Sequence, residues 1–182
     1  MPSYPIHTIA TAPEAAQPVL ERLQNTFGMI PNLAGAMANS PELIKAFIGL
    51  FQQVHSGTFT EAEIQALLLT NAVTNSCDWA VAFHSMLALK EGLTPADVEA
   101  IRGRNLPADG RLAALSGLAR TLIETRGHAG DDDLEAFVAA GFRREQALEV
   151  LVVTAASTIT NYVGIIIRPP LEDVLQPYAW RA

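Results

Sequence analysis

The chain has 182 residues, 49% of them hydrophobic, and a formal net charge of −7. A pI near 5.0 argues against nucleic acid or an anionic membrane as the main partner, because both require a basic face. A single cysteine excludes an intrachain disulfide framework and a four-cysteine zinc site.

Helical periodicity dominates and no alternating strand emerges, so the expected fold is all-α, a bundle of seven to eight helices. The length suits one domain with a sizeable core. Residues 1–17, rich in Pro and Ala, are expected to form an N-terminal arm, and residues 18–182 a single helical domain. No charged segment followed by an apolar stretch opens the chain, so no secretory signal is expected. With 17% charged residues to cover so much apolar material, burial between subunits follows. The expectation is a cytoplasmic homo-oligomer.

A short helix is predicted over Pro18–Phe27, closed at Gly28 by the left-handed conformation that glycine tolerates. Ser40-Pro41-Glu42 supplies an N-cap, a proline at the first helical position and an acidic first turn. The helix it opens carries Leu43, Ile44, Phe47, Ile48, Phe51 and Val54 at helical spacing and stops at Gly57. Thr60 starts the next with a capping box completed by Glu63, running to about Asn75. A helix from Ser76 or Cys77 to Gly92 follows, then a short one opened by Thr94-Pro95 and a loop from Gly103 to Gly110. Two more span roughly Arg111–Arg126 and Asp132–Ala140, and the acidic run Asp131-Asp132-Asp133 is read as a helix start rather than a metal site. The last helix runs from about Arg143 to Ile167 and is stopped by Pro169-Pro170.

That last helix is apolar enough to suggest a membrane span. However, Thr154, Ser157, Thr158 and Asn161 recur at i, i+3, i+4 and i+7, a polar stripe from which a lipid-facing helix gains nothing. A buried helix that turns one side to a polar cavity does gain from it, so no membrane partner is expected.

The chemistry concentrates in Cys77-Asp78-Trp79-Ala80-Val81-Ala82-Phe83-His84. Cys77 is expected in the first helical turn with Ser76 as cap, where unpaired N–H groups and the positive dipole end lower a thiol pKa. His84 lies seven residues on and shares that face. Two turns separate them by about 10 Å of rise, so a direct contact is not expected. Ala80 lies between them and offers only a methyl group. From spacing alone, a small buried cysteine and a structural histidine stand beside the functional pair.

The segment resembles the carboxymuconolactone decarboxylase/AhpD-like family, whose helix carries Cys-x-x-Cys-x-x-x-His with a glutamate twelve residues upstream. Cys77, Ala80 and His84 fall on those three positions and Gln65 on the glutamate. Phe27-Gly28-Met29-Ile30-Pro31-Asn32-Leu33, Ser40-Pro41-Glu42-Leu43, the segment Thr158-Ile159-Thr160-Asn161-Tyr162 and Pro177-Tyr178-Ala179-Trp180 resemble its peroxidase-related branch. The likeness extends from Phe27 to the C terminus.

The resemblance implies an AhpD-like bundle and a redox cysteine pair whose protons are relayed by glutamate and histidine. Here there is no second thiol at Ala80 to resolve an oxidised cysteine. Gln65 cannot serve as a base, since its amide does not ionise near neutral pH. Glu63 is two residues away, about 200° around the helix, and its capping role already explains it.

Three functions are consistent with these residues. The first is a one-Cys alkylhydroperoxidase using Cys77 with His84, a hydroperoxide and an external thiol reductant. The second is a non-redox pocket in which His84, with Gln65, Ala80, Trp79, Thr154, Ser157, Thr158 and Asn161, binds a small polar or carboxylate ligand or supports lyase chemistry. The third is a catalytically silent oligomeric protein; the resemblance implies a homo-oligomer, as a dimer, trimer or hexamer, under all three. His7, His55 and His128 show no ligand spacing, so no metal is expected. Phosphate loops and nucleophile elbows are absent, so no cofactor is expected either.

Overall fold

A computed structural model describes residues 4–181. Nine α-helices follow in order: α1 (Gln17–Phe27), α2 (Asn32–Met37), α3 (Pro41–His55), α4 (Glu61–Thr74), α5 (Asp78–Lys90), α6 (Pro95–Arg102), α7 (Gly110–Glu124), α8 (Asp131–Ala139) and α9 (Gln146–Ile167). Two 3-10 turns, Glu14–Ala16 and Asp173–Tyr178, complete the described residues, which contain no strand. The all-α expectation holds.

The helix starts follow local chemistry. Ser40 Oγ accepts the Leu43 N–H at 3.3 Å. Thr60 and Glu63 close the capping box, the Thr60 N–H donating to Glu63 Oε2 at 2.9 Å and the Glu63 N–H to Thr60 Oγ1 at 3.2 Å. Gly28 ends α1 at φ +73°, a conformation that would strain any residue with a Cβ.

Three features depart from expectation. The six-residue α2 is too short to show periodicity in the sequence. The last helix begins at Gln146 rather than Arg143, because the Gln146 side chain accepts the Arg143 N–H at 2.9 Å and holds residues 143–145 in a turn. Ser76 does not cap α5: it sits in the left-handed region at φ +56°, and its hydroxyl accepts from Arg104 at 2.9 Å. Cys77 itself is the N-cap residue.

The core is organised around α4, buried at every residue from Glu63 to Val73. Its Ala66, Leu69, Ala72 and Val73 join a cluster with α1, α2 and α5, and its Ile64, Leu67 and Leu68 join a second cluster with α7, α8 and α9. One helix therefore serves two cores, and each fully buried leucine on it contributes roughly 2 kcal/mol. α5 packs along α4 and is buried from Trp79 to Ser85.

The long helix α9 packs on α3, α4 and α5, but is less enclosed than its sequence suggests. It is long and apolar enough to cross a membrane by length and composition, and 39% of its most apolar 18-residue stretch is buried. Leu148, Leu151, Tyr162, Ile165 and Ile166 form an exposed apolar stripe along its other side, Ile166 at 70% exposure. The segment before α1 is not free either. The His7 N–H donates to Gly35 O at 3.1 Å, and Ala12 and Ala16 are buried in the first core cluster.

One contact ties α9 to the cysteine. A Cβ at Gly164 would lie 2.6 Å from Cys77 Sγ, inside contact distance. Gly164→Ala is expected to lower stability by about 1–3 kcal/mol through overpacking. In a Cys77→Ala background, the same change should be neutral or stabilising, since helix propensity then favours alanine by up to about 1 kcal/mol. Urea unfolding of the four variants in a double-mutant cycle measures this. Additive effects would show that Sγ does not occupy the Gly164 face.

Candidate functional site

Packing α5 along α4 brings Gln65 to His84. Both are buried, and His84 Nδ1 lies 3.0 Å from Gln65 Oε1. An amide oxygen only accepts, so Nδ1 carries the hydrogen and Nε2 presents its lone pair. Nε2 has no protein hydrogen bond among the described residues. Burial, and secondarily the neighbouring His55, push the His84 pKa down to about 3, leaving the ring neutral at physiological pH.

His84 borders a small cavity of about 60 Å³, walled by Phe27, Phe47, Phe51, Phe83, Trp79 and Ala80. Trp79 stacks on Phe83 at 5.0 Å, and Phe27 meets Phe83 edge-on at 5.6 Å. No Lys or Arg lines this cavity. The phenylalanines belong to the periodicity that marks helix cores, which is why sequence reasoning passed over them as walls of a site.

Cys77 lies elsewhere. It borders a separate open cleft of about 840 Å³ with Asp78, Trp79, Gly164, Arg168 and Trp180. Only 1% of its surface is exposed even so. Its pKa is raised, contrary to the lowering expected from a helix N-terminus. Burial is the largest cause and outweighs the N–H groups of Ala80 and Trp79, which do favour thiolate, while Asp78 opposes it. Ala80, not Cys77, shares the His84 cavity, and Trp79 borders both hollows.

Glu63 is taken up elsewhere: it closes the capping box and pairs with Arg111 at 2.8 Å. Of the polar stripe on α9, only Ser157 borders the His84 cavity, beside Thr160, which the sequence did not single out. The hydroxyls of Thr154, Ser157 and Thr158 donate to carbonyls of their own helix at 2.9, 3.0 and 2.8 Å. Asn161 is fully buried and borders neither hollow. His55, set aside on spacing, packs its ring on Phe51 at 4.3 Å and bonds Glu61 at 2.9 Å. It comes from a different helix, so no sequence interval could have flagged it. Among the described residues, no group of three or more His, Cys, Asp or Glu side chains is placed to hold a metal ion.

The architecture and the histidine helix define a class, the all-α AhpD-like fold. An alkylhydroperoxidase AhpD core protein from Ralstonia eutropha JMP134, described as an uncharacterized peroxidase-related protein, matches with TM-score 0.83 at 20% identity over 94% of this chain and 93% of that one. A peroxidase-related protein from Silicibacter sp. TM1040 matches with TM-score 0.79 at 20% identity, covering 94% and 91%. The debrominase Bmp8 matches with TM-score 0.77 at 17% identity, covering 94% and 93%. A cysteine-to-alanine variant of that debrominase, in complex with 2,3,4-tribromopyrrole, matches with TM-score 0.77 at 16% identity, covering 98% and 96%. No curated protein matches the chain significantly by sequence. Residues 41–121 match the carboxymuconolactone decarboxylase family, and nearly all of the described chain shares the fold of these AhpD-like structures.

The buried neutral imidazole has a thermodynamic consequence. Between its ordinary pKa of 6.5 and the folded value of about 3, the unfolded chain binds a proton that the folded chain does not. The contribution of His84 is therefore fully present above pH 6.5 and is lost as pH falls towards 3. The slope reaches up to about 1.4 kcal/mol per pH unit. His84→Gln should flatten the pH dependence of urea unfolding across this window. An unchanged slope would mean that His84 is hydrated or paired in its charged form.

Proposed function

We propose that the working site of this chain is a non-redox pocket at His84. It binds a small, flat, neutral molecule that donates one N–H or O–H hydrogen bond to Nε2, while Gln65 fixes the ring. The single observation that carries this reading is the His84–Gln65 pair at 3.0 Å, which leaves one unpaired nitrogen on an aromatic cavity. Aromatic walls favour a planar ligand, and the lack of a lining Lys or Arg disfavours the carboxylate considered from sequence. Ala80 stands where a thiol would have to face the histidine. A cavity of about 60 Å³ is smaller than a ring compound, so entry requires the half-buried Phe47 and Phe51 on α3 to move aside. The same fold in a debrominase variant holds 2,3,4-tribromopyrrole, a planar heterocycle of this type.

A second reading is supported by the wide cleft beside Cys77 and by the N–H groups of Ala80 and Trp79 near its sulfur. In a one-Cys alkylhydroperoxidase the Cys77 thiolate attacks the terminal peroxide oxygen, the O–O bond breaks and an alcohol leaves. An external thiol then reduces the resulting sulfenate. The raised thiol pKa and the separation from the His84 cavity weigh against it.

Thermal shift with a panel of pyrroles and phenols separates the two. The expected outcome is a higher Tm for the wild-type chain, lost in His84→Leu, with no peroxide-dependent sulfenate at Cys77. Ala80→Cys combined with Gln65→Glu should then gain peroxide turnover that the wild type lacks. Sulfenate formation in the wild type with no ligand response would favour the peroxidase reading, and neither response would leave a silent oligomer.

The exposed stripe of Leu148, Leu151, Tyr162, Ile165 and Ile166 supports self-association through α9 in a cytoplasmic protein. Sedimentation should show a dimer, trimer or hexamer that dissociates in Ile166→Glu. A wild-type monomer would overturn this.

A further inference from the structure

The contact between α4 and α9 contains polar atoms that the protein does not pair. Asn71 Oδ1 and both amide atoms of Asn161 are buried with no hydrogen-bond partner among the described residues, and neither residue exposes any surface. Leaving an amide unpaired inside a core is far less favourable than filling the place with leucine. The nearby hydroxyls give no relief to the two amide oxygens, because those of Thr154, Ser157 and Thr158 already donate within α9, and none of them accepts from Asn161 Nδ2.

The location of these amides matters. Ser157, Asn161 and Gly164 share one face of α9, at i, i+4 and i+7. Ser157 borders the His84 cavity and accepts from Asn71 Nδ2 at 2.8 Å. Gly164 packs against Cys77 Sγ and borders the other cleft. Asn161 lies about one helical turn from each. On the α4 side, the Cys77 N–H donates to Ala72 O at 3.0 Å, so the residue next to Asn71 is tied to the cysteine.

We propose that Asn71 and Asn161 form an internal water site, a polar bridge between the His84 cavity and the Cys77 cleft. The hydrogen-bond inventory matches a water molecule. Asn71 Oδ1 and Asn161 Oδ1 accept its two protons, and Asn161 Nδ2 donates to its oxygen, giving the roughly three partners usual for buried water. Neither hollow on its own accounts for these amides, and the site does not depend on what His84 binds.

A high-resolution crystal structure of the full chain should show an ordered solvent oxygen about 2.7–3.2 Å from the Asn161 amide. Asn161→Leu is expected to lower Tm by roughly 3–8 °C, since it strips the water and Asn71 of partners. Asn71→Leu should behave alike, with the pair less than additive. A dry Asn161 in the wild-type structure would overturn the proposal. So would an Asn161→Leu chain melting at or above the wild type, because removing an unpaired amide should then stabilise. If Asn161→Leu does not fold, the wild-type structure decides.

Discussion

Most of this structure depends on the removal of water from the α4–α5 pair. Both helices are buried on nearly every side, so any polar group they carry must find a partner within the protein or change its ionisation. Gln65 and His84 satisfy this condition through each other. The same dehydration shifts both chemically interesting residues away from charge, the imidazole pKa downwards and the thiol pKa upwards. A site built this way is neutral and suits hydrogen-bond recognition better than ionic chemistry.

Within that pair, three residues of helix divide two environments. Cys77 is at the N-cap, turned towards α9 and an open cleft, whereas Ala80 is inside the first turn, facing the histidine. A thiol at position 80 would share the cavity of His84, and the thiol at position 77 does not. The chain's one sulfur and its buried histidine therefore border different hollows, with Trp79 between them. The contact that holds the histidine, Gln65 Oε1 to His84 Nδ1, is a neutral one.

The long helix α9 carries two surfaces. One exposes leucines and isoleucines, and the other packs into the second core cluster through Val150, Val153 and Ala156. That buried face continues as the line of Ser157, Asn161 and Gly164, which meets α4 and the cysteine. High overall hydropathy concealed this division, because composition averages over faces that packing separates.

The sequence by itself determined the all-α class, the caps at Ser40 and Thr60, the left-handed close at Gly28 and the candidacy of Cys77, Gln65 and His84. The class and the caps depend on local chemistry, and the three candidate residues on a resemblance in spacing that reaches from α4 into α5. The structural role of Glu63 was legible for the same reason, although its partner Arg111, 48 residues away, was not. Only the tertiary structure decided the rest. The thiol pKa moved opposite to the local expectation because burial is a property of the surrounding helices, not of the cap. The phenylalanine walls, the proximity of His55 and the unpaired amide of Asn161 depend on contacts between distant segments. Three of the four polar residues on α9 turned away from the His84 cavity because their placement was set by how α9 lies across α4, which helical spacing does not encode.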